Sequence, residues 1–195
     1  MKHKNKKIII HPTAVLFFVL IFAFSPPFFT LTVLVCAAFH ELGHYFCAKL
    51  LKYSIESVKI YPLGMDMKLC DTCSSYLKDA LVAFSGPFAN IVFALILRFF
   101  RNTELLVFYN ICLCVMNLFP LKGLDGGTIL YSILCMVFSH GTAYKIHKAI
   151  SFFILFAVYI ISVYVMLCFD GDPSLFLICI MLFLGVSDKD ALSKQ

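Results

Sequence analysis

Tryptophan is absent from this chain of 195 residues, and charged residues make up only 14% of it against a hydrophobic fraction of 62%. A soluble domain is about half apolar and carries about a quarter of charged residues. The apolar excess is too large for a single buried core. The composition therefore excludes an ordinary soluble domain and indicates an integral membrane protein.

A regular cysteine spacing is also lacking. The nine cysteines are odd in number and mostly lie in apolar runs, which argues against a disulfide framework. Cys70 and Cys73 form one CxxC pair in a polar stretch, and without a second pair we interpret them as reduced thiols. No small-x-small cleavage site follows the first apolar run, so we predict that this run is a retained span rather than a signal peptide.

The net charge of +5 comes without the distribution that a nucleic-acid-binding face requires. Lysines cluster near the N-terminus and in short polar stretches between apolar runs, where they orient a protein in a bilayer. We therefore expect no nucleic-acid partner.

Apolar runs of about the length needed to cross a bilayer predict an all-α polytopic fold with about six spans. The candidates are 8–24, 28–51, 79–100, 104–120, 149–169 and 174–187, whereas the apolar stretch 128–139 is too short to cross. With the N-terminus inside, all of the 16 Lys and Arg residues except Arg98 and Arg101 fall on the inner side. This bias predicts a multi-pass protein of the cell membrane with both termini in the cytoplasm.

The longest polar connection, 52–78, contains two short alternating runs, 57–61 and 65–69, around Pro62 and Gly64. Alternation about a Pro/Gly turn favours a small β-hairpin between the second and third spans. An ordinary cytoplasmic loop remains an equal alternative.

Residues 40–44 read His-Glu-Leu-Gly-His, an HExxH pattern inside an apolar run. On a helix, His40 and His44 share a face and can bind one metal ion, while Glu41 is placed to act on a water there. An ionisable residue in such a run costs roughly 2.5–3.5 kcal/mol on insertion scales, so three of them need a compensating partner. The pattern therefore predicts a catalytic metal site.

A catalytic zinc site takes a third protein ligand and leaves one position for water. Asp125 is the candidate, because it follows Pro120 in a glycine-containing stretch where irregular backbone is expected at the end of the fourth span. From the residues alone, ligation by Asp125 and capping of the following helix are equally good interpretations.

Three motifs in this order resemble those of the site-2 proteases, the intramembrane zinc metalloproteases of peptidase family M50. They are HELGH, then Gly86-Pro87-x-x-Asn90, then Asn117-x-x-Pro120 with Leu124-Asp125-Gly126-Gly127. The small size and the His11-Pro12 start look most like the sporulation branch, whose members process a membrane-tethered sigma-factor precursor.

The resemblance implies that His40, His44 and Asp125 bind Zn²⁺, that Glu41 is the catalytic base, and that Asn117 lies near the substrate. An inter-helix hydrogen bond remains an equal alternative for Asn117. We assign the Gly86 motif to helix packing rather than chemistry. The hairpin is similar to a family element that pairs with an unwound substrate strand.

The expected substrate is a transmembrane protein, such as a membrane-tethered transcription-factor precursor, with a membrane regulator as a further partner. We expect a single intramembrane metalloprotease domain, 1–195, without PDZ or CBS domains. Two alternatives stay open: a catalytically inactive homologue that keeps the metal site and acts as a membrane binding protein, and a metal-ion transporter.

Overall fold

The computed structural model describes residues 7–10, 26–61, 64–69 and 75–168. These residues form five helices, α1 (Pro27–Leu50), α2 (Tyr76–Leu97), α3 (Glu104–Leu118), α4 (Asp125–Val137) and α5 (His140–Cys168). They also form three strands, β1 (Lys7–Ile10), β2 (Ile55–Tyr61) and β3 (Gly64–Leu69). The chain divides into two compact units, residues 1–117 and 118–195.

Three of the described helices are long and apolar enough to cross a membrane: Pro27–Leu50, Tyr76–Leu97 and His140–Val165. Helices α3 and α4 are apolar but shorter, at 15 and 13 residues. Large apolar side chains such as Phe153 stand 69% exposed, as expected for helices that face lipid. The fold is therefore that of a helical membrane protein. The predicted span at 174–187 lies outside the described residues.

Helices α1 and α2 pack closely against each other. The buried residues of α1 recur at nearly every fourth position and so line one face: Thr32, Cys36, His40, His44 and Ala48. Gly43 permits the approach, because a Cβ atom there would stand only 2.7 Å from the Cβ of Ala89. The rings of Phe39 and Phe93 stack at 3.7 Å between centroids. This contact brings the HExxH face of α1 against α2.

The strands form one sheet in the order β1-β2-β3. Strand β2 runs antiparallel to β3 within the stretch that the sequence indicated as a hairpin, and the turn residues 62–63 and the Cys70/Cys73 pair lie outside the described residues. Strand β1 pairs in parallel with β2. The prediction that a helical span begins at residue 8 is therefore wrong for residues 8–10. Three consecutive isoleucines suit a strand as well as a helix in lipid, so hydropathy alone could not separate the two.

The second unit contains the irregular segment 119–124 and the helices α4 and α5. Gly123 adopts a left-handed backbone with φ +103°, which glycine accepts without a steric cost. Leu121 is buried against Leu155 of α5. Helix α5 begins at His140, nine residues before the start of the span predicted at 149–169. The lysines there belong to a short polar stretch between apolar runs, but lysine is a good helix former and does not interrupt the helix.

Candidate metal centre

The two histidines of the HExxH pattern lie one turn apart on the buried face of α1. His40 is 5% exposed and His44 is 6% exposed, and their Nε2 atoms are 3.2 Å apart. Two nitrogen ligands at about 2.0–2.1 Å from a tetrahedral ion are separated by about 3.3 Å. The separation of the two Nε2 atoms thus fits joint binding of one zinc ion.

The outer ring nitrogen of each histidine faces a hydrogen-bond acceptor on α2. The Nδ1 atom of His44 lies 2.8 Å from the carbonyl oxygen of Val82. Since a carbonyl oxygen only accepts, Nδ1 must carry the proton and Nε2 keeps its lone pair for a metal. The Nδ1 atom of His40 lies 3.2 Å from Oδ1 of Asn90, an acceptor that suits the same tautomer. Metal-binding histidines are usually oriented in this way by a second hydrogen bond.

Asn90 is the functional residue that the sequence interpretation missed. Its side chain is fully buried and contacts His40, although we had assigned its motif to helix packing. Gly86, one turn earlier, does serve close packing, but against the site itself. A Cβ atom at Gly86 would overlap His44 Nε2 and stand 2.9 Å from His40 Cε1. The i, i+4 spacing of Gly86 and Asn90 could have revealed that both residues share the face of α2 turned to the histidines.

Glu41 follows His40 directly and is half-buried. Successive residues of an α-helix are rotated by about 100°, so Glu41 projects beside the histidine face rather than from it. A carboxylate in this position can accept a proton from a water held near the two Nε2 atoms.

Asp125 belongs to the second unit, where it is the first residue of α4 and is half-buried. The N-cap position is taken by Leu124, and that cap makes no side-chain hydrogen bond. The interpretation of Asp125 as the capping residue is therefore wrong. Gly126 and Gly127 follow it, and a Cβ atom at either position would overlap the carbonyl oxygen of Leu118 or Leu121. The two glycines let the start of α4 pack directly on the preceding backbone.

Asn117 lies at the end of α3 and is half-buried. Its Nδ2 atom donates to the carbonyl oxygen of Leu113, 3.0 Å away on the same helix. The hydrogen bond described for this side chain is thus intrahelical, rather than the inter-helix bond that we had considered.

A buried HExxH pair on a membrane helix, oriented by the helix packed against it, defines the class of membrane-embedded metallopeptidases. The sequence profile of peptidase family M50 matches residues 28–103 and 97–161, which run from α1 into α5. The chain belongs to this family.

Two known proteins are similar to this chain, one in sequence and one in fold. The chain is 31% identical over 110 residues to stage IV sporulation protein FB of Bacillus subtilis (strain 168), an alignment spanning 52% of this chain and 38% of that protein. This relative agrees with the predicted resemblance to the sporulation branch. The structure of the site-2 protease from Methanocaldococcus jannaschii superposes with a TM-score of 0.67 at 23% identity, covering 96% of this chain and 92% of that one. That likeness concerns the fold.

Proposed function

We propose that this protein is an intramembrane zinc metalloprotease that hydrolyses a peptide bond in or near a transmembrane segment of another membrane protein. The observation that carries the proposal is the buried His40–His44 pair, with both Nε2 atoms 3.2 Å apart and both Nδ1 atoms facing acceptors on α2. Two buried imidazoles whose Nε2 atoms converge on one face of an apolar helix have a clear use as metal ligands.

We assign His40, His44 and Asp125 as the ligands of Zn²⁺. With a carboxylate oxygen as the third ligand, the site has the His₂-carboxylate set found in other catalytic zinc sites. Asp125 is the first residue of a helix that follows irregular backbone, and the N-cap position before it is occupied by Leu124. When bound, zinc would lower the pKa of a water molecule towards neutrality and polarise the scissile carbonyl.

Glu41 would supply the acid–base chemistry. Its carboxylate accepts the proton of the attacking water and then returns it to the nitrogen of the leaving amine. Such a general base contributes about 10²–10⁴-fold to the rate. Asn117 would donate a hydrogen bond from its amide to the oxygen that becomes negative during attack, after exchanging its intrahelical partner Leu113.

The substrate must be unwound before attack, because helical hydrogen bonds shield the backbone of a transmembrane helix. We propose that the sheet holds it in the extended form. Strand β3 has a hydrogen-bonded neighbour on one side only among the described strands, so its other edge can pair with a substrate strand.

By resemblance to the sporulation branch, the substrate would be a membrane-tethered transcription-factor precursor, and a membrane protein would regulate the cleavage. We further propose a multi-pass protein of the cell membrane with about six spans and both termini in the cytoplasm. The lysine distribution supports this orientation, because most basic residues fall in the loops assigned to the inside.

Quantitative membrane proteomics can test the function in cells that carry either the wild-type chain or Glu41→Gln. We expect uncut transmembrane segments of the substrate to accumulate only with the variant, while the variant is produced in equal amount. Identical membrane peptide patterns, together with full zinc content, would favour the inactive homologue that acts as a binding protein.

A further inference from the structure

Helix α5 carries two buried polar side chains, one turn apart, that are not part of the site described above. His147 and Ser151 are each 5% exposed. Burying a polar side chain on an apolar helix costs free energy unless that side chain is hydrogen-bonded. Both contact backbone of the same short stretch, residues 120–127, within the second unit.

Ser151 fastens the irregular segment before α4. Its Oγ accepts a hydrogen bond from the backbone N–H of Lys122 at 3.2 Å and donates one to the carbonyl oxygen of Pro120 at 3.2 Å. Irregular backbone has no helical partner for such groups, and in an apolar surrounding each one must be satisfied internally. One hydroxyl therefore satisfies a donor and an acceptor of this segment.

His147 fastens the first turn of α4. Its imidazole is hydrogen-bonded to the backbone of Gly127 and lies against the ring of Tyr131, 5.6 Å between centroids. Its Nε2 atom is buried and has no hydrogen-bond partner within the part of the chain that the structure describes. Burying the Nε2 atom without a partner costs free energy. A buried histidine that keeps one backbone hydrogen bond despite this cost is better explained by a local positioning role than by general packing.

Asp125 lies between the backbone groups that Ser151 and His147 contact, three residues after Lys122 and two before Gly127. We propose that His147 and Ser151 are positioning residues that hold the Asp125 carboxylate in the place required for metal binding. This inference rests on the proposed function, because it takes Asp125 as a ligand. Supports of this kind change metal affinity by about 10–100-fold in other metal sites.

The direct test measures zinc affinity of the purified full-length protein in detergent, by competition with a chromophoric chelator, for Ser151→Ala and Ser162→Ala. Ser162 is the matched control, since it is a buried serine of the same helix whose hydroxyl donates to the carbonyl oxygen of Tyr159 on its own helix. We expect Ser151→Ala to weaken zinc binding about tenfold and Ser162→Ala to leave it unchanged. Equal losses in both variants would overturn the proposal.

A double-variant cycle separates positioning from general destabilisation. If Ser151 acts through Asp125, then adding Ser151→Ala to Asp125→Asn should cause no further loss of zinc affinity. A loss that adds fully to that of Asp125→Asn would mean that Ser151 acts elsewhere, and the inference would fall. Wild-type affinity of Asp125→Asn itself would instead contradict the proposed ligand set, so the two failures are distinguishable.

His147 provides the second arm. His147→Leu removes the contact with the Gly127 backbone, while His147→Gln keeps a side chain able to hydrogen-bond there. We expect the leucine variant to weaken zinc binding about tenfold and to shift the visible absorption of the Co²⁺-loaded protein, and the glutamine variant to recover most of both. An unchanged cobalt spectrum and zinc affinity in His147→Leu would remove His147 as a positioning residue.

Discussion

The two units present their candidate ligands in different ways. His40 and His44 lie on a regular helix, and each is oriented by a hydrogen bond that it donates to the packed neighbouring helix. Asp125 begins a helix that follows irregular backbone, and the supports around it come from Ser151 and a histidine of α5. Helical periodicity alone brings the first pair together, whereas the position of Asp125 depends on a turn, two glycines and a serine. We call the unit of residues 1–117 the regular half and the unit of residues 118–195 the irregular half. The regular half should tolerate little change in packing. The irregular half should tolerate little change in polar contacts.

The largest effect is expected from Gly86→Ala, which tests the packing of the regular half. The added methyl group would overlap the imidazole of His44 and approach that of His40, so both rings must shift. We expect zinc affinity to fall by about 100-fold, measured by chelator competition. Gly141→Ala is the control, since a Cβ atom at Gly141 meets nothing within 4 Å. Normal zinc binding by Gly86→Ala would mean that the histidines do not need this close approach.

Asn90→Leu tests whether the histidine tautomer matters beyond packing. Loss of the Asn90 oxygen leaves the Nδ1 proton of His40 without its acceptor, and we expect zinc affinity to fall by about tenfold or more. Asn110→Leu is matched, because Asn110 is also fully buried but bonds Cys36 and Leu106 instead. Asn110→Leu should lower the thermal unfolding midpoint without changing zinc affinity. Equal zinc affinities in the two variants would refute the orienting role of Asn90.

The smallest effect is expected from Tyr53→Phe, at the edge of the regular half. The Tyr53 hydroxyl donates to Asp79 at 2.5 Å and ties the turn after α1 to the start of α2. We expect a loss of about 1 kcal/mol in the free energy of unfolding, with zinc affinity unchanged. Burial, with help from Asp79, raises the pKa of Tyr53 to about 12. Because the folded-state pKa is raised, the contribution of the Tyr53 hydroxyl to the free energy of unfolding is complete below pH 10 and is lost as the pH rises towards 12. If Tyr53→Phe reduced the free energy of zinc binding by more than the free energy of unfolding, this assignment would be contradicted.

The sequence predicted the regular half better than the irregular half. The i, i+4 spacing of His40 and His44 in an apolar run was enough to predict a shared buried face, and the structure confirms that face. Asn90 was missed because an amide in an apolar helix serves packing as readily as orientation, and only the partner helix decides between them. Strand β1 was missed because its partner β2 lies some fifty residues along the chain, and pairing at that distance leaves no local pattern.

The irregular half could be predicted only through resemblance. From the composition, N-capping and metal ligation were equally good interpretations of Asp125. The structure argues against N-capping because Leu124 occupies the N-cap position. The roles of Ser151 and His147 depend on contacts across about 20 to 30 residues, between a helix and a turn. No periodicity marks such contacts, because a turn has no repeating face.

The central claim is that the His40–His44 pair serves a proteolytic metal site with Glu41 as its base. The most direct measurement combines zinc content and cleavage of a membrane substrate by the purified wild-type chain, Glu41→Gln and His44→Ala. We predict one zinc ion per chain and cleavage in the wild type, zinc without cleavage in Glu41→Gln, and neither in His44→Ala. Cleavage by Glu41→Gln at the wild-type rate, or full zinc content in His44→Ala, would contradict the account.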